Sequence, residues 1–358
     1  MRTAGKREGL IVHQADPLNA ETPRTALADD PLTPLDAFYV RCHGPVPRLE
    51  PGSWRLRVEG LVERPLVLSL ATLRERFEPR RLTATLECAG NRRAGLLEVR
   101  GIPGEAPWGP GAIGNAQWRG VRLGDVLADA GLREEAAHVE LLGVDVSSEA
   151  DPPQAFGASI PRDKALAPET LLVWEMNGAP LPAVHGAPLR ALVPGYIGAR
   201  SVKWLWAITA RATPSENHFQ AHAYRLLADD EDPGVALGAV AVNADILAPA
   251  DGAQVRPGRL EVRGYAFAGD GRRIVRVDVS SDGGACWRQA ELLDDLGPWA
   301  WRLWRAELEL PGGTTQIVAR AWDSAAATQP ERPATLWNPK GYVNNSWARV
   351  TITAADPG

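Results

Sequence analysis

The sequence predicts an α+β protein of two units: a region of mixed strands and short helices, followed by an immunoglobulin-like antiparallel β-sandwich. Three observations carry this. The 358 residues exceed what one core usually supports. Glycine and proline are abundant (35 and 30), which favours loops and short strands over long helices. The hydrophobic texture also changes near residue 242, from mixed periods to strand-like alternation.

Residues 1–36 read as an irregular arm, because Pro17, Pro23, Pro31 and Pro34 prevent a continuous helix. The first domain is placed at 37–226. Residues 54–59 (WRLRVE) alternate as a strand, and Leu68 to Phe77 reads as a short helix with Ser69 or Thr72 as cap. Residues 82–86 (LTATL) read as a strand that runs into the loop after Cys88. In 122–130, Leu123, Val126, Leu127 and Ala130 share a helical face, and Gly131 suits its left-handed end. Residues 138–146 and 170–176 look like buried strands, and 201–210 a strand with Val202, Trp204, Trp206 and Ile208 on one face. The βαβ rhythm of a nucleotide-binding sheet is missing, as are GxGxxG and Walker loops.

Residues 227–241, with the acidic run ADDEDPG, read as a linker. A second domain spans 242–354. Within it, 258–267, 272–279, 301–310, 314–322 and 346–353 alternate, and SSDGG (280–284) predicts an Asp-Gly hairpin turn. The 13 tryptophans suit sandwich cores and pocket walls.

Net charge is −5, which argues against nucleic-acid binding. Cys42, Cys88 and Cys286 make neither a disulfide framework nor a CxxC zinc site. MRTAGKREGL does not read as a secretory signal, and no apolar run is long enough for a membrane span, so the expected compartment is the cytoplasm, or the periplasm if a signal has been removed.

The segment TLECAGNRR concentrates chemistry. Cys88 sits at a strand end before small residues that let the backbone wrap a bulky object, and Arg92 and Arg93 favour its thiolate. Such a thiolate is a nucleophile or a soft metal ligand. Read alone, a free cysteine is more often simply packed.

TLECAGNRR resembles the molybdenum-binding loop of the sulfite oxidase family. GLIVHQADPLNAETP, FYVRCHGPVP, GAIGNAQWRGVRLGDVL, FGASIPRDKAL, VWEMNGAPLPAVHGAPLRALVPGYIGARSVKWL, VRGYAFAGDGRRIVRVDVSSDGGACW, WAWRLW and LWNPKGYVNNSWARV resemble further family blocks in the same order. The resemblance implies a molybdopterin-binding catalytic domain with one molybdenum, bound by the pterin dithiolene and Cys88. It implies pterin contacts at Arg41, His43, Asp145, His185, Arg190, Ser201, Val202 and Lys203. It implies a substrate site of Arg41, Arg93, Trp108, Tyr224 and Arg302, the last contributed by the second domain. Cys42 stands where the family usually has asparagine, and Glu87 where glutamine is common. The loop after Asp145, VSSEADPPQA, looks longer than usual.

The implied activity is oxidation of sulfite to sulfate with water as oxygen donor. Electrons would pass to an external acceptor, a cytochrome or dioxygen, since the sequence has no haem, flavin or nicotinamide motif. The second domain implies a homodimer. The alternatives are a related molybdenum enzyme acting on nitrate or a sulfoxide, and a cofactor-free binding protein that uses its immunoglobulin-like domain.

Overall fold

The computed structural model describes residues 5–229 and 231–355. Two five-stranded sheets frame the first domain. One has the order Ala179–Pro180, Leu171–Met176, Ile113–Arg122, Arg80–Glu87, with Arg190–Leu192 also pairing Leu171–Met176. The other runs Leu66–Leu68, Leu56–Gly60, Leu205–Arg211, His138–Ser147, Gln154–Pro161. Their apolar faces and the helix Leu123–Ala130 share one core, which includes Leu56, Val121, Val126, Val139, Ile160 and Ile208. That helix ends as the sequence predicts, on Gly131 at φ 70°. The helix Leu70–Arg76 starts where the Ser69 hydroxyl accepts the Thr72 N–H.

Three local expectations change. The arm is not irregular throughout: Ile11–Gln14 and Asn19–Glu21 form a hairpin that pairs with Val40–Arg41. Pro17 and Pro23 fall in its turn and just after it, where no ladder donor is needed. The expected strand 201–210 begins only at Leu205, because Trp204 is at φ 48° and Val202 lies in the preceding loop. Trp206 is then only half-buried, while Leu205, Ala207 and Ile208 are buried. The SSDGG turn is not a tight two-residue hairpin either; it opens a longer loop between Ile274–Ser280 and Arg288–Gln289.

The second domain is a sandwich of two sheets. The first runs Asn243–Ala248, Gly258–Phe267, Arg302–Leu310, Glu291–Leu292. The second runs Gln254–Val255, Ala348–Ala354, Gly313–Asp323, Ile274–Ser280, Arg288–Gln289. Val262, Val277, Trp304, Ile317 and Val350 fill the space between them. Arg92 joins the two domains. Its Nε lies 2.8 Å from Asp245 Oδ2, and its Nη1 donates to Asn243 Oδ1 and the Ser346 carbonyl. Among the described residues no helix is long and apolar enough to cross a membrane.

Candidate active site

Strand ends from both first-domain sheets and the loops after them converge on a recess of about 650 Å³, counting its open mouth. Cys88, one residue beyond Arg80–Glu87, lies on its wall. Arg41, His43, Asp145, His185, Arg190, Ser201, Lys203 and Tyr224 line the same recess, so eight predicted residues besides Cys88 are brought together.

Two recess cations, Arg190 and Lys203, are held mainly by main-chain oxygens. Arg190 donates to the carbonyls of His185, Ser201 and Ala191 at 3.0, 2.8 and 3.3 Å. Lys203 Nζ donates to the carbonyls of Arg41 and Val184, and lies 3.0 Å from Cys42 Sγ. Burial lowers the pKa of both, that of Arg190 to about 10. Asp145 has the opposite problem. Burial pushes its carboxyl up to about 7 against the Lys203 charge, and Oδ1 is buried without a partner.

Ser201 and Val202 serve differently from each other. The Ser201 hydroxyl accepts the Val193 N–H, and Ser201 faces the recess. Val202 is buried in the apolar core, outside the recess lining, and its carbonyl accepts from Ala191. Lys6 adds a cation that no sequence pattern singles out: Nζ reaches the carbonyls of Leu35 and Phe38 and lies 2.6 Å from His185 Nε2.

On its other side Cys88 opens into a cleft lined by Arg41, Arg93, Glu105, Trp108, Glu149, Tyr224 and Tyr342. The neighbouring arginines of the cysteine loop have separate tasks. Arg92 points into the domain junction and Arg93 into the cleft, where it donates to the carbonyls of Lys340 and Ala106. Gly341, at φ 59°, lets this segment close on Arg93; a Cβ there would stand 2.7 Å from Arg93 Cγ. Glu21 of the arm accepts the N–H groups of Gly109 and Gly111 and so fixes the turn carrying buried Trp108.

His43 Nδ1 lies 2.8 Å from Glu149 Oε2, and Nε2 lies 2.7 Å from the Tyr224 hydroxyl. Burial and the Arg41 charge lower the His43 pKa to about 4, so the ring is neutral near pH 7. Nδ1 also lies 3.0 Å from Arg41 Nη2, so the ring tautomer sets the direction of the Tyr224 bond: Nε2 accepts when Nδ1 donates to Glu149 and donates when Nδ1 accepts from Arg41.

Two expectations fail here. Arg302 is not in the cleft. It lies on the strand Arg302–Leu310, where Nε and Nη2 donate to the Leu293 carbonyl and Nη1 faces Asp295 at 3.3 Å. Arg302 opens that strand on the same face as buried Trp304, and its guanidinium is taken up there by the Leu293 carbonyl and Asp295 rather than by the cleft. The second domain instead contributes Tyr342 to the cleft wall, and Lys340 stands at its edge, 3.7 Å from Glu105 Oε1. Secondly, the arginines do not win the Cys88 thiol. Burial raises its pKa, and Glu87 adds to this, against Arg93 and Arg41.

The recess fits a pterin with an anionic tail. Among the described residues, Lys203 and Arg190 have no carboxylate in salt-bridge contact, and Asp145 Oδ1 is an acceptor without a donor. Among the described residues no three His, Cys, Asp or Glu side chains converge on a metal position, so Cys88 would be a single protein ligand with the rest supplied by the cofactor. Fold and recess together define a molybdopterin oxidoreductase.

Comparison with known proteins agrees. Residues 43–219 match the oxidoreductase molybdopterin binding domain, and residues 235–355 the Mo-co oxidoreductase dimerisation domain. The chain is 44% identical to the sulfite oxidase of Gallus gallus over 362 residues, covering 96% of this chain and 78% of that protein. It is 38% identical to the sulfite oxidase of Arabidopsis thaliana, covering 97% and 94%. The sulfane dehydrogenase SoxCD from Paracoccus pantotrophus superposes with a TM-score of 0.83 at 27% identity, covering 98% and 90%. The chain belongs to the sulfite oxidase family and is a molybdenum oxidoreductase.

Proposed function

We propose that this enzyme oxidises sulfite to sulfate, with water as oxygen donor, and passes the electrons to an external acceptor, a cytochrome or dioxygen. The observation that carries the reading is the cleft itself: Arg41, Arg93, Trp108 and Tyr224 surround an opening with Cys88 on its wall. A small, strongly hydrated oxyanion entering so closed a space needs fixed cations in place of its water.

When bound, the cofactor would supply the two-electron redox chemistry. The chain's residues bind and orient. Cys88 Sγ would be the metal ligand. Arg190, Lys203 and His185 would meet the anionic tail, and Asp145 would accept from an amino edge of the pterin. Arg41 and Arg93 would hold the substrate anion and stabilise charge on its oxygens. Trp108 and the stacked rings of Tyr224 and Tyr342, 5.5 Å apart, would limit water. The Tyr224 hydroxyl, held 2.7 Å from His43 Nε2, would orient the attacking or departing oxygen. The matched dimerisation domain supports a homodimer.

Steady-state assays of the molybdenum-loaded enzyme with sulfite, nitrate and methionine sulfoxide test the reading. Sulfite-dependent ferricyanide reduction is expected. Turnover of nitrate or the sulfoxide with none of sulfite would overturn it.

A further inference from the structure

Each cation of the cleft already has a carboxylate beside it. Arg41 Nη2 lies 3.2 Å from Glu149 Oε1. Arg93 Nη2 lies 3.1 Å from Glu105 Oε2, and Lys340 Nζ lies 3.7 Å from Glu105 Oε1. Glu105 therefore spans a cation from each domain, and Glu149 spans Arg41 and His43. Both carboxylates line the opening next to Trp108 and Tyr224.

The two kinds of partner differ in freedom. Arg93 is 3% exposed and stays anchored to the Lys340 and Ala106 carbonyls whether or not Glu105 is present. Arg41 is likewise tied to the Cys42 carbonyl at 2.6 Å. Glu105 and Glu149 side chains are 22% and 44% exposed. The carboxylates can swing into solvent while the guanidiniums keep their places.

We propose that Glu105 and Glu149 are built-in competitors for the substrate anion, exchanging with it at the cleft cations and thereby setting affinity and selectivity. This rests on the oxyanion reading of the cleft above. Three cations, Arg41, Arg93 and Lys340, less two carboxylates leave one net positive charge. With all three uncompensated, the cleft would hold a doubly charged product strongly and release it slowly, and equally tight binding of substrate and transition state does not raise turnover. The competition also favours dianions, since a singly charged anion such as nitrate is a weaker rival for cations that already have carboxylates.

The test is calorimetric titration of the molybdenum-loaded enzyme with sodium sulfate at fixed low ionic strength, which needs no turnover. In Glu105→Gln and in Glu149→Gln the sulfate Kd is expected to fall about tenfold each, with the sulfite KM falling in parallel. Glu105→Asp and Glu149→Asp, which keep the charge, should stay within about twofold of the parent. An unchanged or weaker sulfate Kd in both glutamine variants overturns the proposal, and reading each variant separately lets one decide if the other folds poorly. If the parent enzyme fails to oxidise sulfite while the glutamine variants still tighten sulfate, the functional reading falls and the competitor role stands. Sulfite turnover without tightened sulfate keeps the functional reading and removes the competitor role.

Discussion

The recess and the cleft meet at Cys88 and hold their cations by different means. In the recess, Arg190 and Lys203 rest on main-chain carbonyls, which cannot leave. In the cleft Arg41 and Arg93, and at its edge Lys340, also face carboxylates that can. Asp145 in the recess and Glu149 in the cleft are shifted in opposite directions. Burial pushes Asp145 up to about 7. Glu149 feels burial too, but the His43 hydrogen bond and the Arg41 charge outweigh it and hold the carboxyl at about 2. A fixed, uncompensated cation set suits a cofactor that binds once. A compensated set suits ligands that come and go.

The sharpest way to break this division is at the shared residue. Cys88→Ser should fold, bind the pterin through the untouched recess, and lose sulfite turnover by roughly a thousandfold or more, since the proposed metal ligand is gone. Sulfite-dependent ferricyanide reduction at matched pterin content measures it. Next, Lys203→Met should lower cofactor content per chain, because a charge-assisted donor is removed from a permanent anion site. A loss of about tenfold or more in cofactor affinity is expected, read as molybdenum per protein after dialysis.

The contrast between Arg92 and Arg93 gives a stability test. Asp245→Ala leaves Arg92 buried without its carboxylate and should cost about 3–5 kcal/mol in urea unfolding, with the cleft chemistry retained in the folded fraction. A smaller effect comes from pH. Asp145 has a folded pKa above its unfolded value of 3.8, so the stabilisation by its protonated form is complete below about pH 4 and is lost as pH rises through about 7. Unfolding of the cofactor-free protein between pH 4 and 8 should show this slope, and Asp145→Asn should flatten it. The smallest effect is expected at Arg302, which faces Leu293 and Asp295: Arg302→Met should leave the sulfite KM unchanged.

Much of the recess was legible in the sequence, because its residues sit in blocks whose order and chemistry are read together. Arg41, His43, Cys88, Asp145, His185, Arg190, Ser201 and Lys203 all line it. The cleft was less legible. Arg302 lies between tryptophans on an alternating strand, a pattern that reads the same whichever sheet face the arginine takes. Lys340 and Tyr342 lie in an irregular segment, NPKGYVNN, with no period to show where they point. Its one signal was the Lys-Gly pair, and Gly341 does take the left-handed conformation that lets the chain approach Arg93. Glu149 lies in the loop after Asp145, where local pattern says nothing of a partner over a hundred positions away at Arg41. The thiolate expectation for Cys88 failed because adjacent charge was legible and desolvation was not.

As the proposed metal ligand, Cys88 would join the two regions, and X-ray absorption at the molybdenum edge reads this without turnover. One fewer sulfur is expected around molybdenum in Cys88→Ser than in the parent enzyme. An identical sulfur count in the two proteins would remove Cys88 from that role.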